Sequence, residues 1–284
     1  PLYAEQVVRT AEEKEAAKAK KVKRQSKSKE GKEKKISLGQ RGRPKGSRNK
    51  NKAEVELSPE LTRIQKMVFA VLKVVDKVIQ FPYLVLDGHF GHHAAMQMSL
   101  QCGLHHISRL QSNSSLYFPY EGEQSGRGPR KKYGDKIDYD NLPPKYIQSI
   151  VPTGKVITVT HQMKMIHKEY AQPLNIVILT KFDAESQKVG QVILFSSALE
   201  LEAEKLIQYY RLRFQIEFNF RDAKQFWGLE DFMTTNSVAV TNCANFSLFM
   251  VNVACVLLAK LSQENPEHGV VDLKAYFRGR KYVQ

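Results

Sequence analysis

Tyr210, Arg213, Glu217 and Lys224 lie in the segment LIQYYRLRFQIEFNFRDAKQFWGLEDF, which reads as helix. At about 100° per residue the four share one arc of about 60°. A single carboxylate flanked by an Arg, a Lys and a Tyr suits a metal ion and a phosphate. The carboxylate takes the cation, and the cationic and hydroxyl groups take phosphate oxygens. The same stripe also reads as a solvated charged face with an i,i+4 Arg–Glu pair.

A second acid stands far upstream. Tyr83-Leu84-Val85-Leu86-Asp87 reads as a short apolar strand ending in a carboxylate, followed by Gly88-His89-Phe90-Gly91. Open α/β sheets place ligand-binding groups at such strand ends. Asp87 can equally cap the turn that follows. Paired with Glu217, it makes a candidate metal pair, since a strand-end acid and a helix acid can meet at one sheet edge. Magnesium prefers such oxygen ligands and substrate phosphates, with manganese as a substitute. Two such ions roughly 4 Å apart activate an attacking water or 3′-hydroxyl and stabilise the leaving oxygen. His89, His92 and His93 are candidates for groups behind Asp87. Cys102, His105 and His106 lack a fourth ligand at zinc spacing.

These residues need elements to carry them. Ser58-Pro59-Glu60 has the signature of a helix start, and Ile64, Met67, Val68, Val71, Leu72, Val75, Val78 and Ile79 continue it to Phe81-Pro82 as a core-facing stripe. His92–Gln101 predicts a second helix stopped at Gly103, and Leu104–Leu110 a second strand. Residues 57–110 therefore read as an α/β unit with a parallel sheet. Lys155–Met163, Leu174–Lys181 and Gln191–Ser196 are β-type runs within a β-rich stretch, 111–197. Helices return at 198–226 and 238–262, and 263–284 has no readable element. Val238–Ala259 reads as a buried core helix. Its longest clean apolar run, Val253–Ala259, is too short for a bilayer, so no membrane partner is expected. Three dispersed cysteines suit a reducing cytosol.

The net charge of +15 is concentrated in one place. Residues 14–52 hold 17 Lys and Arg against three acids, leaving the remainder almost neutral. A segment so poor in apolar residues cannot offset its ordering entropy and is expected to contact DNA electrostatically. Within it, Arg41-Gly42-Arg43-Pro44 resembles an AT-hook core, in which Arg41 and Arg43 would enter a narrow minor groove. An ordinary basic linker is the other reading.

The spacing Y-x2-R-x3-E-x6-K resembles the signature around the last catalytic acid of DDE transposases of the insertion-sequence-four type. LVLDGHFGHH, HHISRLQSNSSLYF and FQIEFNFRDAKQFWGLEDF are similar to that family as well. The resemblance implies an α/β, ribonuclease-H-like mixed sheet flanked by helices, with a β-rich insertion before the helix carrying Glu217. Tyr83–Asp87 matches the fourth strand and Leu104–Leu110 the fifth. It implies Asp87 and Glu217 as catalytic metal ligands for magnesium, and Tyr210, Arg213 and Lys224 as contacts to phosphates near the scissile bond. Arg221 lies on the same face by spacing and joins them as a candidate. Trp227, the only Trp, reads as core packing at the helix end or as a base-stacking platform. The partners implied are DNA, as transposon ends and target, and a second copy in a homodimer of the full-length form. The location implied is cytoplasmic and prokaryotic, on DNA.

Residues 1–10 are then expected to be the remnant of a core strand and 11–56 a basic DNA-contacting segment. Residues 57–110 and 198–262 would form the two parts of the core, 111–197 the insertion, and 263–284 a tail. The family pattern also needs a first Asp on an upstream strand. The only Asp before Asp87 is Asp76, inside the first predicted helix. An N-terminally truncated transposase, missing its first strands and inactive alone, is therefore expected. Two other readings are a non-enzymatic DNA-binding remnant acting through the basic segment, and a metal nuclease of another fold.

Overall fold

The computed structural model describes residues 54–283 except 76–77, 125, 127 and 262–266, together with Glu15, Lys18 and Lys52. Residues 1–10, Arg41, Arg43 and Asp76 lie outside the described residues. The chain forms two compact units that divide between Asp222 and Ala223.

In the first unit, helix α1 (Pro59–Val75) precedes strand β1 (Tyr83–Val85), a 3₁₀ turn (Gly88–Phe90), helix α2 (His93–Gln101) and strand β2 (His105–Leu110). Strands β3 (Leu116–Pro119), β4 (Tyr133–Lys136), β5 (Ile147–Thr153), β6 (Val156–His167), β7 (Leu174–Asp183) and β8 (Val189–Ser196) follow, then helix α3 (Ala203–Leu212). The strand order is β1-β2-β8-β7-β6-β3-β4, with β5 also paired to β6. Among the described residues only β1 and β2 run parallel to each other; β8 returns antiparallel on β2. The result is an open mixed sheet flanked by helices, in keeping with the ribonuclease-H-like fold.

Both faces of its centre are covered, which explains the unbroken apolar runs of β7 and β8. Ile176, Ile178, Ile193 and Phe195 pack with Met96 of α2 on one face. Val177 and Leu194, one residue out of phase, pack with Ile107 and with Leu206 of α3 on the other. Fully burying each such side chain stabilises the fold by about 1.5–3 kcal/mol.

A polar pair fixes α3 on the sheet. Glu202, at its N-cap, supplies no side-chain cap. Gln162 of β6 does so instead, its Oε1 accepting from Ala203 N at 3.1 Å. Gln162 and the buried Asn175 then both donate to the Leu201 carbonyl, at 2.8 and 2.7 Å. The first helix differs from its sequence pattern: it stops at Val75, and Val78 and Ile79, expected in the core, are exposed.

The second unit contains helices α5 (Ser237–Leu261) and α6 (Val270–Val283); the helix α4 (Gln215–Trp227) carries the chain into it. Its core gathers Ala223, Leu229, Leu248 and Val251, with Trp227 packed alongside. Lys274 Nζ lies 5.2 Å above the Trp227 ring. The tail that carried no sequence signal thus contains α6.

Helix α5 corrects the expectation of a buried core helix with too short an apolar run. It has 25 residues, and 22% of its most apolar stretch is buried. By length and composition it is able to cross a membrane, a test that core helices of soluble proteins also pass. Two of its polar residues bond back to their own turn, and Ser247 Oγ donates to the Trp227 carbonyl at 2.8 Å. Thr241 Oγ1 donates to Ser237 O at 2.8 Å, and Asn245 Nδ2 to Thr241 O at 2.9 Å.

Candidate active site

Asp87 follows β1 where the strand runs out. Leu86 N still donates to Ile107 O, and Ser108 Oγ donates to the Asp87 carbonyl at 2.8 Å, so the backbone of Asp87 is tied to β2. Its carboxylate caps the 3₁₀ turn, Oδ1 accepting from Gly88 N at 2.7 Å. That is the capping role the sequence allowed, and it leaves Oδ2 and the other lone pairs of Oδ1 available.

Glu217 arrives from the opposite direction. The predicted helix 198–226 is in fact two helices, α3 and α4, separated at Arg213 and Phe214. Arg213 N bonds to Tyr210 O, Phe214 N to Arg211 O and Ile216 N to Arg213 O, so the chain tightens here to i→i−3 bonding. Arg213 itself keeps helical angles, φ −52 and ψ −35. Each tightened step turns about 120° rather than about 100°, which rotates Glu217 relative to Tyr210 away from the ideal arc.

The break puts Arg213 between the two acids. Its Nη1 lies 3.6 Å from Asp87 Oδ1 and 3.5 Å from Glu217 Oε1. The Asp87 and Glu217 side chains are 59% and 62% exposed, whereas that of Arg213 is 18% exposed. The Arg213 guanidinium stacks 4.7 Å from the Phe214 ring centre and 5.7 Å from that of Tyr210. Among the described residues its buried Nε has no hydrogen-bond partner. Tyr210 packs at the edge of the apolar cluster under α3.

The donor set at this point is oxygen only, open to solvent, and already gathered around one positive group. That chemistry fits a hard divalent cation. Among the described residues no group of three or more His, Cys, Asp or Glu side chains clusters, so the pair stands without a third acid.

The remaining candidates occupy other settings. Arg221 is held by its neighbour Asp222 through Nε at 3.1 Å and Nη2 at 3.0 Å. Lys224, in the second unit, bonds Glu230 at 2.7 Å. His92 Nδ1 accepts from Ala95 N and caps α2, and His93 Nε2 meets the Lys52 carbonyl at 2.6 Å, so both are occupied structurally. Cys102 is buried, and burial raises its thiol pKa, which leaves it inert.

Sequence reasoning missed Arg109. It stands on β2 and lines the same cleft as Asp87, Tyr210 and Arg213, a space of about 1510 Å³. A Cβ at Gly88 would come within 3.3 Å of Arg109 Nε, so the side chain lies along the turn that carries Asp87. A lone Arg in HHISRL gives no signal of this.

A family model for the transposase DDE domain matches residues 45–253, the span that holds both acids and strands β1 to β8. No curated protein matches the chain. With most of its length covered, including the strand-end Asp87 and the helix of Glu217, the chain belongs to the transposase DDE domain family.

Proposed function

We propose that the chain is a transposase of the insertion-sequence-four type, with Asp87 and Glu217 as its second and last acids. The family acts on DNA and generally uses divalent metal ions. Asp87 and Glu217 would hold such an ion, magnesium or manganese, which when bound polarises phosphate oxygens and activates the attacking water or 3′-hydroxyl. Arg213 and the Tyr210 hydroxyl would donate to non-bridging oxygens of the scissile phosphate. Arg221 would join by exchanging Asp222 for phosphate, and Lys224 of the second unit is a further candidate contact to DNA. The segment around Arg41 and Arg43 would supply salt-sensitive attraction to DNA. A homodimer holding two transposon ends is the working assembly, in the cytoplasm.

The observation that carries this reading is the guanidinium of Arg213 shared by two exposed carboxylates from distant parts of the chain. Only two acids meet there among the described residues, so ion binding is weak and cleavage by this chain alone is slow or silent. The second reading, a non-enzymatic DNA-binding remnant, draws support from the same two-acid set and from the basic segment. Manganese binding followed by electron paramagnetic resonance separates them. Wild-type protein is expected to bind the ion, and Asp87→Asn and Glu217→Gln to lose it while still binding DNA. Wild-type protein that binds DNA but no manganese would leave the second reading standing.

A further inference from the structure

The sheet face under α3 continues well beyond that helix. On β6, Thr158, Thr160 and Gln162 point to this face, alternating with Ile157 and Val159 on the other. Cross-strand partners share a face, and Thr158 pairs with Lys181 of β7, which pairs in turn with Gly190 of β8. On the outer side Thr160 pairs with Ser149 of β5. The covered apolar centre thus gives way to a strip of hydroxyls, amides and one ammonium set between Val151, Leu179 and Val192. Gly190 adds no side chain to fill the floor beside Lys181.

This strip and the two-acid site belong to one cleft. Asp87, Arg109 and Arg213 line one part, Thr158, Thr160 and Lys181 another, and Gln208 and Arg211 of α3 form a wall. The rim acids are engaged already, Glu202 with Lys205 at 3.1 Å and Glu204 with Gln208 at 3.1 Å. Among the described residues Lys181, Arg109 and Arg211 carry no ion pair. A concave surface with hydroxyl and amide donors among apolar residues, and unpaired cations at intervals, suits a chain of phosphodiesters.

We propose that the strip Thr158–Thr160–Lys181, walled by Arg211, is a rail for the DNA backbone next to the cleavage position. The inference rests on Asp87 and Glu217 being the reacting centre, which fixes the end of the rail. Under it, the long β6–β7 hairpin holds substrate in line with the site through its α3 face alone.

The test attaches a photoactivatable azidophenacyl group to the full chain at position 158 or 182, through Thr158→Cys or Phe182→Cys. Phe182 is 39% exposed and points to the opposite face from Lys181. A random-sequence duplex is the probe, and peptide mapping sets aside the exposed Cys243 and Cys255. DNA is expected to crosslink at 158 and not at 182. In titrations over a range of salt, Lys181→Ala and Arg211→Ala are each expected to make the slope of log affinity against log salt shallower by about 1. Both side chains are exposed, so a normal circular dichroism spectrum is expected for the variants. Equal crosslinking from both faces, or unchanged slopes, overturns the rail. Absent crosslinking at 158 with normal manganese binding also overturns it, and leaves the metal pair standing.

Discussion

Asp87 and Glu217 share a single nitrogen, Nη1 of Arg213, at 3.6 and 3.5 Å. The two acids therefore lie no further apart than the sum of those distances. Without the guanidinium their charges would repel, and a cation would relieve that repulsion. Arg213 holds the place of positive charge and competes for it. Arg213→Gln is expected to tighten manganese binding several-fold while weakening DNA binding. Isothermal titration of both ligands checks this, and unchanged or weaker manganese binding would show that the guanidinium does not compete.

Arg109 lies along the Asp87 turn but pairs with neither acid. Its charge is free for substrate phosphate. Arg109→Ala is expected to lower DNA affinity about tenfold, the loss of about 1.4 kcal/mol that a charge-assisted contact commands. Manganese binding should not change. A variant that loses the metal instead would place Arg109 in support of the carboxylates.

Gly91, beside the site, and Gly103, at the far end of β2, should respond differently to Ala. A Cβ at Gly91 would fall 2.0 Å from the Arg109 carbonyl oxygen, a backbone atom that cannot move aside. Gly91→Ala is expected to cost about 1–3 kcal/mol or more by forcing the α2 connection off β2. Gly103 has open space around it and a φ of +76, so Gly103→Ala meets only the left-handed strain of about 1–2 kcal/mol. Urea unfolding measures both, and the larger loss should fall on Gly91.

His106 makes the fold acid-sensitive. Its ring is buried, with Nδ1 2.8 Å from Ser99 Oγ, and burial pushes its pKa down to about 3 from the ordinary 6.5. Between those values the unfolded chain binds a proton that the native ring refuses. Stability therefore falls with falling pH in that window, by about 1.4 kcal/mol per unit from this ring. His92, His161 and His167, also lowered by burial, add to the trend. His106→Asn should flatten the pH dependence of the urea midpoint below about pH 6. An unchanged slope would mean the ring is protonated in the native state.

The strand-end position of Asp87 and the pairing of Arg213 with Glu217 were legible because their signals are local. The apolar run ending at Asp87 needs only a strand and a turn, and the Arg213–Glu217 pair needs only a spacing of four. The break at Arg213 was not legible, since no Gly or Pro marks it and the change is one of hydrogen-bond register. Arg109 was hidden for another reason: its cleft exists only once β2 has paired with β8, far along the chain. The cap on α3 was equally hidden, because Gln162 reaches it from a different strand. Helix α5 was misjudged because Thr241 and Asn245, which look like interruptions, are satisfied by their own turn.

The strand order also dictates a sequence of events in time. Strands β6, β7 and β8 follow one another as a meander, so their pairing closes only short loops. Strand β2 must find β8 across that whole meander, joining Ile107 to Ser196, before the turn of Asp87 has a support. Closing the longer loop costs more entropy and comes later. Pulsed hydrogen exchange during refolding is expected to protect the amides of Val177 and Leu194 before that of Ser108, which faces β8 opposite Phe195, and simultaneous protection would contradict this order. A chain emerging from denaturant would thus regain its β-rich scaffold first and its chemistry last.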